Sequence, residues 1–445
     1  MNIKKIIIIL LIILIIAIIV LVALNWYGNY QEKYEYDPPE EDVAININST
    51  IEKVSTRNDF YAVKTCIEKF YLYLAKTDES DYSIIDEETE QALEATDNMR
   101  KEAIYNMLDN NYIQNTGITK NNVLQHLGEI ETSDVIIDDM YVSEQTENVA
   151  VYLVYGKLRN QTTRENTEFN LMLKIDMLNR TFKVIPADYI NEYVGEISVG
   201  QELKLDIEET IEKNDYNIFA YETISEETYI LDMFNEFKTD MMYDYETAYE
   251  RLNEEYKQKR FETYEEFETY ATEHIRNSVV MQLNQYQVNE FDNYTQYVCV
   301  DQNGKYYIFN ETGVMDYTVI LDTYTIDLPQ FTEQYNNATD AEKVLYNLQK
   351  VFSAINDKDY NYVYNKLDNT FKQNNFPTLE SFQTYITQNL YENNSIAYSN
   401  YQTSGNLHIY EISIKNAEDE NSATVTKNFI MQLLDGTDFV MSFNV

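Results

Sequence analysis

The chain has 445 residues, 44% of them hydrophobic, enough for three domains of ordinary size with real cores. It carries 76 Asp and Glu against 33 Lys and Arg, a formal net charge of −43. No Lys/Arg cluster appears, so nucleic acid is excluded as a partner and anionic lipid or wall polymer would be repelled; cations, basic proteins and neutral ligands remain. Tyr (41 residues), Phe, Ile and Leu recur throughout, which argues against disorder. Tyr, Ile and Asn share AT-rich codons, pointing to an AT-rich bacterial genome. Lys shares that bias yet is scarce, so the acidity reads as selected.

Residues 1–5 form a short basic tail with Lys4 and Lys5. Residues 6–24 are 19 consecutive apolar residues. As a helix they span ~28 Å, against a hydrocarbon core of ~30 Å. The positive-inside rule places the N-terminus in the cytoplasm and the rest outside, with Trp26, Tyr27 and Tyr30 at the interface. A cleaved signal peptide would have a shorter apolar region and a better site than Ala23-Leu24-Asn25. Residues 25–58 read as an acidic linker interrupted by Pro38-Pro39, which holds the first domain off the membrane.

The remainder is a repeat. Residues 244–270 shifted by 115 fall on 359–385 without a gap, and 12 of 27 positions are identical. Residues 105–119 shifted by 259 match at eight of 15. One unit of about 115 residues is therefore used three times: 59–193, 216–328 and 329–445, with a linker at 194–215. Each unit opens on an apolar helical stripe: Phe60, Val63, Ile67, Phe70, Leu74; then Ile230, Met233, Phe234, Phe237, Met241; then Leu345, Leu348, Phe352, Ile355. Ser225 and Asp340 suit N-caps for the latter two. A second, shorter helix carries Tyr105/Leu108/Tyr112, Tyr249/Leu252/Tyr256 and Tyr364/Leu367/Phe371 on one face. Thr119, Thr263 and Thr378 cap a third helix, whose buried face starts at Val123, Phe267 or Phe382.

The period then changes to two. Strands are predicted at 149–155, 169–175 and 182–185, with a turn at Asn179-Arg180. They follow at 297–300 and 306–309 about Asn303-Gly304, and at 430–434 and 439–443 about Asp435-Gly436. Helices followed by an antiparallel sheet make each unit α+β.

This order and spacing of elements resembles the nuclear transport factor 2-like superfamily. The resemblance implies cone-shaped domains in which a curved antiparallel sheet wraps a long first helix. The layout also resembles membrane-anchored members in bacterial conjugation machines and secretion bridges, which place one or two such domains outside a single span. This chain departs from them in having three domains and almost no cytoplasmic tail. Some cone-shaped members are enzymes using a pocket Asp and Tyr; here no Asp–Tyr pair stands out.

Candidate sites are few. Residues 78–97, present only in the first repeat, hold nine acids and no Lys or Arg. On a helix Asp86, Glu90 and Glu94 would stack and repel, so the segment is a solvated acidic loop or the docking element for a basic partner. His126, His274 and His408 lack zinc-site spacing. Gln114, Gln258 and Gln373 recur and would satisfy backbone groups in the turn after the second helix. Cys66, on a helix, and Cys299, on a strand, read as small buried apolar side chains. No catalytic, cofactor-binding or metal residue is assigned, and no cofactor is expected. The expected function is a non-catalytic, single-pass protein of the bacterial cell membrane. It presents an acidic, Tyr-rich extracytoplasmic rod of three repeats to other envelope proteins or to itself. The alternatives are a small-ligand receptor and a dehydratase- or isomerase-like enzyme in one cone pocket.

Overall fold

The computed structural model describes residues 44–76, 87–144, 149–176, 181–186, 200, 202–208, 224–261, 263–272, 282–419 and 421–445. The tail 1–5, the apolar run 6–24, most of the segment 25–58 and the turn Asn179-Arg180 lie outside them. Among the described residues no helix is long and apolar enough to cross a membrane. The architecture is mixed α+β with antiparallel sheets, in two compact units, residues 1–225 and 226–445. The expected boundary at 328/329 thus falls inside the second unit.

In the first unit β1 (Ala44–Thr50) and β2 (Glu52–Lys53) precede four helices, α1 (Arg57–Leu74), α2 (Glu87–Met107), α3 (Asn110–Thr116) and α4 (Val123–Leu127). Strands β3 (Ser133–Glu144), β4 (Val149–Asn160), β5 (Asn166–Asp176), β6 (Thr181–Pro186) and β7 (Glu202–Glu208) follow. The main sheet is ordered β2-β3-β4-β5-β6. The segments 25–58 and 194–215, expected as linkers, instead supply β1 and β2 from the first and β7 from the second. β1 pairs with β7, from Ala44 opposite Glu208 to Thr50 opposite Glu202. That ladder gives both backbones partners that a linker would take from water.

The second unit holds two helix-then-sheet layers. The first is α5 (Glu226–Tyr243), α6 (Tyr245–Glu250), α7 (Glu254–Arg260) and α8 (Tyr264–Tyr270), then β8 (Leu283–Glu290), β9 (Thr295–Asp301), β10 (Tyr306–Gly313) and β11 (Asp316–Ile320). The second is α9 (Pro329–Asn337), α10 (Asp340–Asn356), α11 (Tyr360–Asn365), α12 (Asn369–Asn375) and α13 (Leu379–Asn389), then β12 (Asn394–Ser404), β13 (Leu407–Asn416), β14 (Val425–Leu433) and β15 (Phe439–Phe443). Both sheets are meanders, β11-β10-β9-β8 and β12-β13-β14-β15.

The apolar stripes become the cores. On α1 the buried set is Phe60, Val63, Cys66, Ile67, Phe70 and Leu74. On α5 the expected residues are buried, joined by Tyr229 and Asp240. On α10 the buried line runs through Val344, Leu348, Val351 and Ile355, while Leu345 is only partly buried. Thr339, not Asp340, caps that helix: its hydroxyl accepts from Glu342 N, and the Glu342 carboxylate reaches back to Thr339 N at 2.8 Å. Ser225 directly precedes α5.

The expected second helix is broken in every repeat at a leucine followed by Asp or Asn. Leu108, Leu252 and Leu367 each bridge in parallel to the last strand of their sheet, at Val184, Val319 and Met441. The next residue donates its backbone N–H to that strand: Asp109 to Val184 O at 3.0 Å, Asn253 to Val319 O at 2.9 Å, Asp368 to Met441 O at 2.8 Å. The side chain of the same residue then caps the following helix, accepting from Tyr112 N, Tyr256 N and Phe371 N. The 3,4 spacing thus spans two helices joined at the bridge rather than one. Thr263 and Thr378 cap α8 and α13 as expected. Thr119 does not cap: its N–H and hydroxyl bind Asn122 Oδ1, and α4 starts at Val123.

Each of the three larger sheets has a bulge in its first long strand, at Ile137/Asp139, Leu283/Gln285 and Ser399/Gln402. A bulge bends and twists the strand that carries it. The interior of the last repeat is filled with rings. Phe376 lies 5.4 Å from Phe382, and Phe429 lies 5.5 Å from Phe443. The gap left between Val351, Ile355, Phe382 and Met441 is about 10 Å³, room for no more than one water molecule.

Candidate functional site

The densest chemistry lies where the second repeat meets the third, inside the second unit. It starts from two caps. Asp357 ends α10, and Asp359 caps α11 by accepting from Tyr362 N at 3.0 Å. Each carboxylate faces a cation from the second repeat. Arg260 Nε, at the end of α7, is 3.2 Å from Asp359 Oδ2, and Lys305 Nζ is 3.6 Å from Asp357 Oδ1. The Arg260 guanidinium also lies 4.7 Å from the Phe261 ring centre and 5.4 Å from that of Tyr270. Burial works against these two charges, but the tyrosines and aspartates around them outweigh it and hold both pKa values above their ordinary positions.

Asp322 sits beneath this pair. One oxygen accepts from the backbone N–H groups of Tyr324 and Thr325, the other from the Thr325 hydroxyl and the Tyr256 hydroxyl at 2.9 Å. Burial pushes its carboxyl up, and those hydrogen bonds with Arg260 push back. The turn so formed throws Tyr324 into the core of the third repeat, 5.0 Å from Tyr362. On the other side of the second sheet, Gln330 of α9 donates to Gln296, which donates to Asn310 at 2.9 Å. Gln296 is only 1% exposed. Lys350 pairs with Asp327, which also accepts from Thr437, and the ammonium lies 3.8 Å from the Phe331 ring centre.

A second buried carboxylate lies inside the second repeat. Glu311 accepts from the hydroxyls of Tyr229 and Tyr297, the latter at 2.9 Å, and from Met315 N. Beside the seam, Tyr307 OH and Asp301 Oδ2 are buried without a hydrogen bond of normal geometry. Burial first, then the nearness of Asp301, pushes that hydroxyl far above its ordinary pKa. It stays protonated, as do Tyr256 and Tyr324. The seam is thus built from neutral phenols and from carboxylates already held by caps, turns and cations. These groups join the second repeat to the third.

The residues singled out in the sequence fall elsewhere. Glu90 and Glu94 lie one turn apart on α2, which runs the acidic insert straight into the second helix; Asp86 and the rest of 78–86 lie outside the described residues. Buried Arg100 fastens the helix, donating to Tyr73 O, Asp97 and Glu129 at 3.0, 2.9 and 2.8 Å. Gln114, Gln258 and Gln373 are exposed within α3, α7 and α12, so the turns are closed by the Asp, Asn and Thr caps instead. His126 is exposed at an edge of the Tyr112 ring. His408 is buried on β13 with Nδ1 2.9 Å from Tyr401 OH, and His274 lies outside the described residues. Cys66 and Cys299 are buried and unpaired, with thiols pushed up to about 12 by burial. Among the described residues no group of three or more His, Cys, Asp or Glu could hold a metal ion.

Sequence reasoning missed the seam. Asp359 aligned with Asp244 and read as part of the repeat, while Arg260 aligned with Asn375 and dropped out as a mismatch. That mismatch was the available signal, because a contact between copies must differ between copies. Comparison of the chain with protein-family models and with curated proteins finds no match.

Proposed function

We propose that the chain is a non-catalytic, single-pass membrane protein of a bacterial envelope. Its residues beyond the span form three tandem α+β domains outside the cell, and these serve protein–protein interaction or envelope assembly. On the resemblance drawn from element order, each domain is a cone of the nuclear transport factor 2-like kind. The single observation that carries the reading is the seam. Polar groups that an enzyme would aim into a pocket are spent here on joining one repeat to the next. The packed interior of the last repeat supports the same reading, since tandem surfaces multiply contacts while catalysis needs only one pocket. The 19-residue apolar run with Lys4 and Lys5 before it supports the anchor.

The test uses the full chain with a C-terminal tag in a bacterial host. It should stay with the membrane through an alkaline wash, and protease added to intact cells should remove the tag. Crosslinking in the same cells should capture envelope proteins or a second copy. A chain released by the alkaline wash, or a tag protected in intact cells, would sink the proposal.

A further inference from the structure

The sheet edges divide into closed and open ones. The last strand of each sheet, β6, β11 or β15, is closed by the leucine bridge at Val184, Val319 or Met441. The opposite edge of the first sheet is closed by β2, which pairs Glu52 with Val142 and Lys53 with Tyr141. In the second unit β8 and β12 each end a sheet, and among the described residues no strand pairs with the outer side of either. β12 is the longer, 11 residues against 8, and its Ser395, Ala397 and residues 399–404 are exposed.

Open edges are normally guarded by charge or proline, because their unpaired N–H and C=O groups recruit other strands. β3, which β2 pairs only at Tyr141 and Val142, carries Asp134, Asp138, Asp139 and Glu144. Residues 394–410 contain no Asp, Glu, Lys, Arg or Pro, in a chain with 76 acids. One bulge at Ser399/Gln402, with Asn400 at φ 51°, interrupts the strand.

We infer that β12 is a strand-addition site whose occupant is β12 of a second copy of this chain, paired antiparallel to join two four-stranded sheets into one. The charge pattern selects that occupant. Two copies at −43 each repel over most of their surfaces and can approach where neither bears charge. An antiparallel strand pair is its own complement across a twofold axis, so β12 against β12 sets Ser, Ala, Asn, Tyr, Gln and Thr opposite one another with no like charges in register. A basic partner strand finds no carboxylate on β12. The nearest one across the ladder, Glu411, is already held by Ser399 Oγ at 3.0 Å and Asn400 Nδ2 at 3.1 Å. Exposed Tyr401, its ring 4.8 Å from that of Tyr410 at a 37° tilt, and exposed Leu407 add apolar area at the hairpin tip.

This deepens the interaction reading above by naming its surface and its partner, and it does not depend on the membrane span. The test is the mass of the full chain in mild detergent by light scattering, over a wide concentration range. The wild type should reach two copies. A variant with Ser395→Glu and Ala397→Glu, and another with Ser395→Lys and Ala397→Lys, should each stay at one copy. Their equimolar mixture should return to two, which also shows that both variants are folded. A wild type at one copy throughout, variants that pair as well as the wild type, or a mixture that stays at one copy would each overturn the inference. Solubility without detergent would sink the anchor proposal and leave this test unchanged.

Discussion

Gly156 sits in the middle of β4, opposite the bulge of β3, with ordinary strand geometry and no need for a left-handed backbone. Its constraint is space. A Cβ at this position would lie 2.2 Å from the carbonyl oxygen of Ile136 and 2.8 Å from the Phe169 ring. The ring could turn only against Tyr71, whose centre is 5.2 Å away, and the carbonyl belongs to the bulge that bends the sheet. Gly156→Ala therefore forces the backbone to move, and overpacking of this kind costs about 1–3 kcal/mol. Chemical denaturation of the full chain, followed by the fluorescence of its tyrosines, should show the first unit unfolding earlier by that amount. A midpoint unchanged from the wild type would mean that β3 is not pinned at Ile136.

The elements repeat one device, a leucine that touches the sheet and an Asp or Asn that caps the next helix. Asp368 caps α12 from a largely exposed position, whereas Asp109 is 9% exposed and accepts from both Asn111 N and Tyr112 N. Loss of a cap costs about 1 kcal/mol. Asp368→Ala should lose about that much, and Asp109→Ala more, because its cap is buried and doubly used. Equal losses in denaturation would show that burial adds nothing to the device. This level of the fold was partly legible in the sequence. Buried stripes such as Phe60–Val63–Ile67 and turns such as Asn303-Gly304 write their period or their chemistry into neighbouring residues. The break at Leu252 did not, since a 3,4 spacing is the same for one helix as for two that share a face. β8 and β12 were missed for a different reason: an edge strand that buries few residues, only Ile396 and Tyr398 of β12 reaching the core as apolar side chains, leaves little alternation to read, and Tyr286 or Ser395 looks like loop. Glu311, brought to Tyr229 across 82 residues of sequence, left no local trace at all.

At the scale of the whole second unit the seam makes a thermodynamic claim. Independent repeats joined by a linker would open separately. Here the Arg260 side chain is 14% exposed and that of Asp359 7%, and removing one partner strands the other's charge, which costs up to about 3–5 kcal/mol. Tyr324 adds apolar contact to the same junction, since it belongs by sequence to the second repeat and by packing to the third. Native-state amide exchange on the full chain should then give the central strands of the two sheets, β9 and β10 on one side and β13 and β14 on the other, one common opening free energy. Arg260→Ala should lower both together. Pairing Arg260→Met with Asp359→Asn should recover most of the loss, because the cap on α11 is kept and no charge is left buried. Two distinct opening energies in the wild type, or an Arg260→Ala effect confined to the second repeat, would mean that the junction is contact without coupling. The interaction surfaces of the two repeats would then be free to move independently, and the advantage of a rigid double module for presenting β12 at a fixed angle to its partner would be lost.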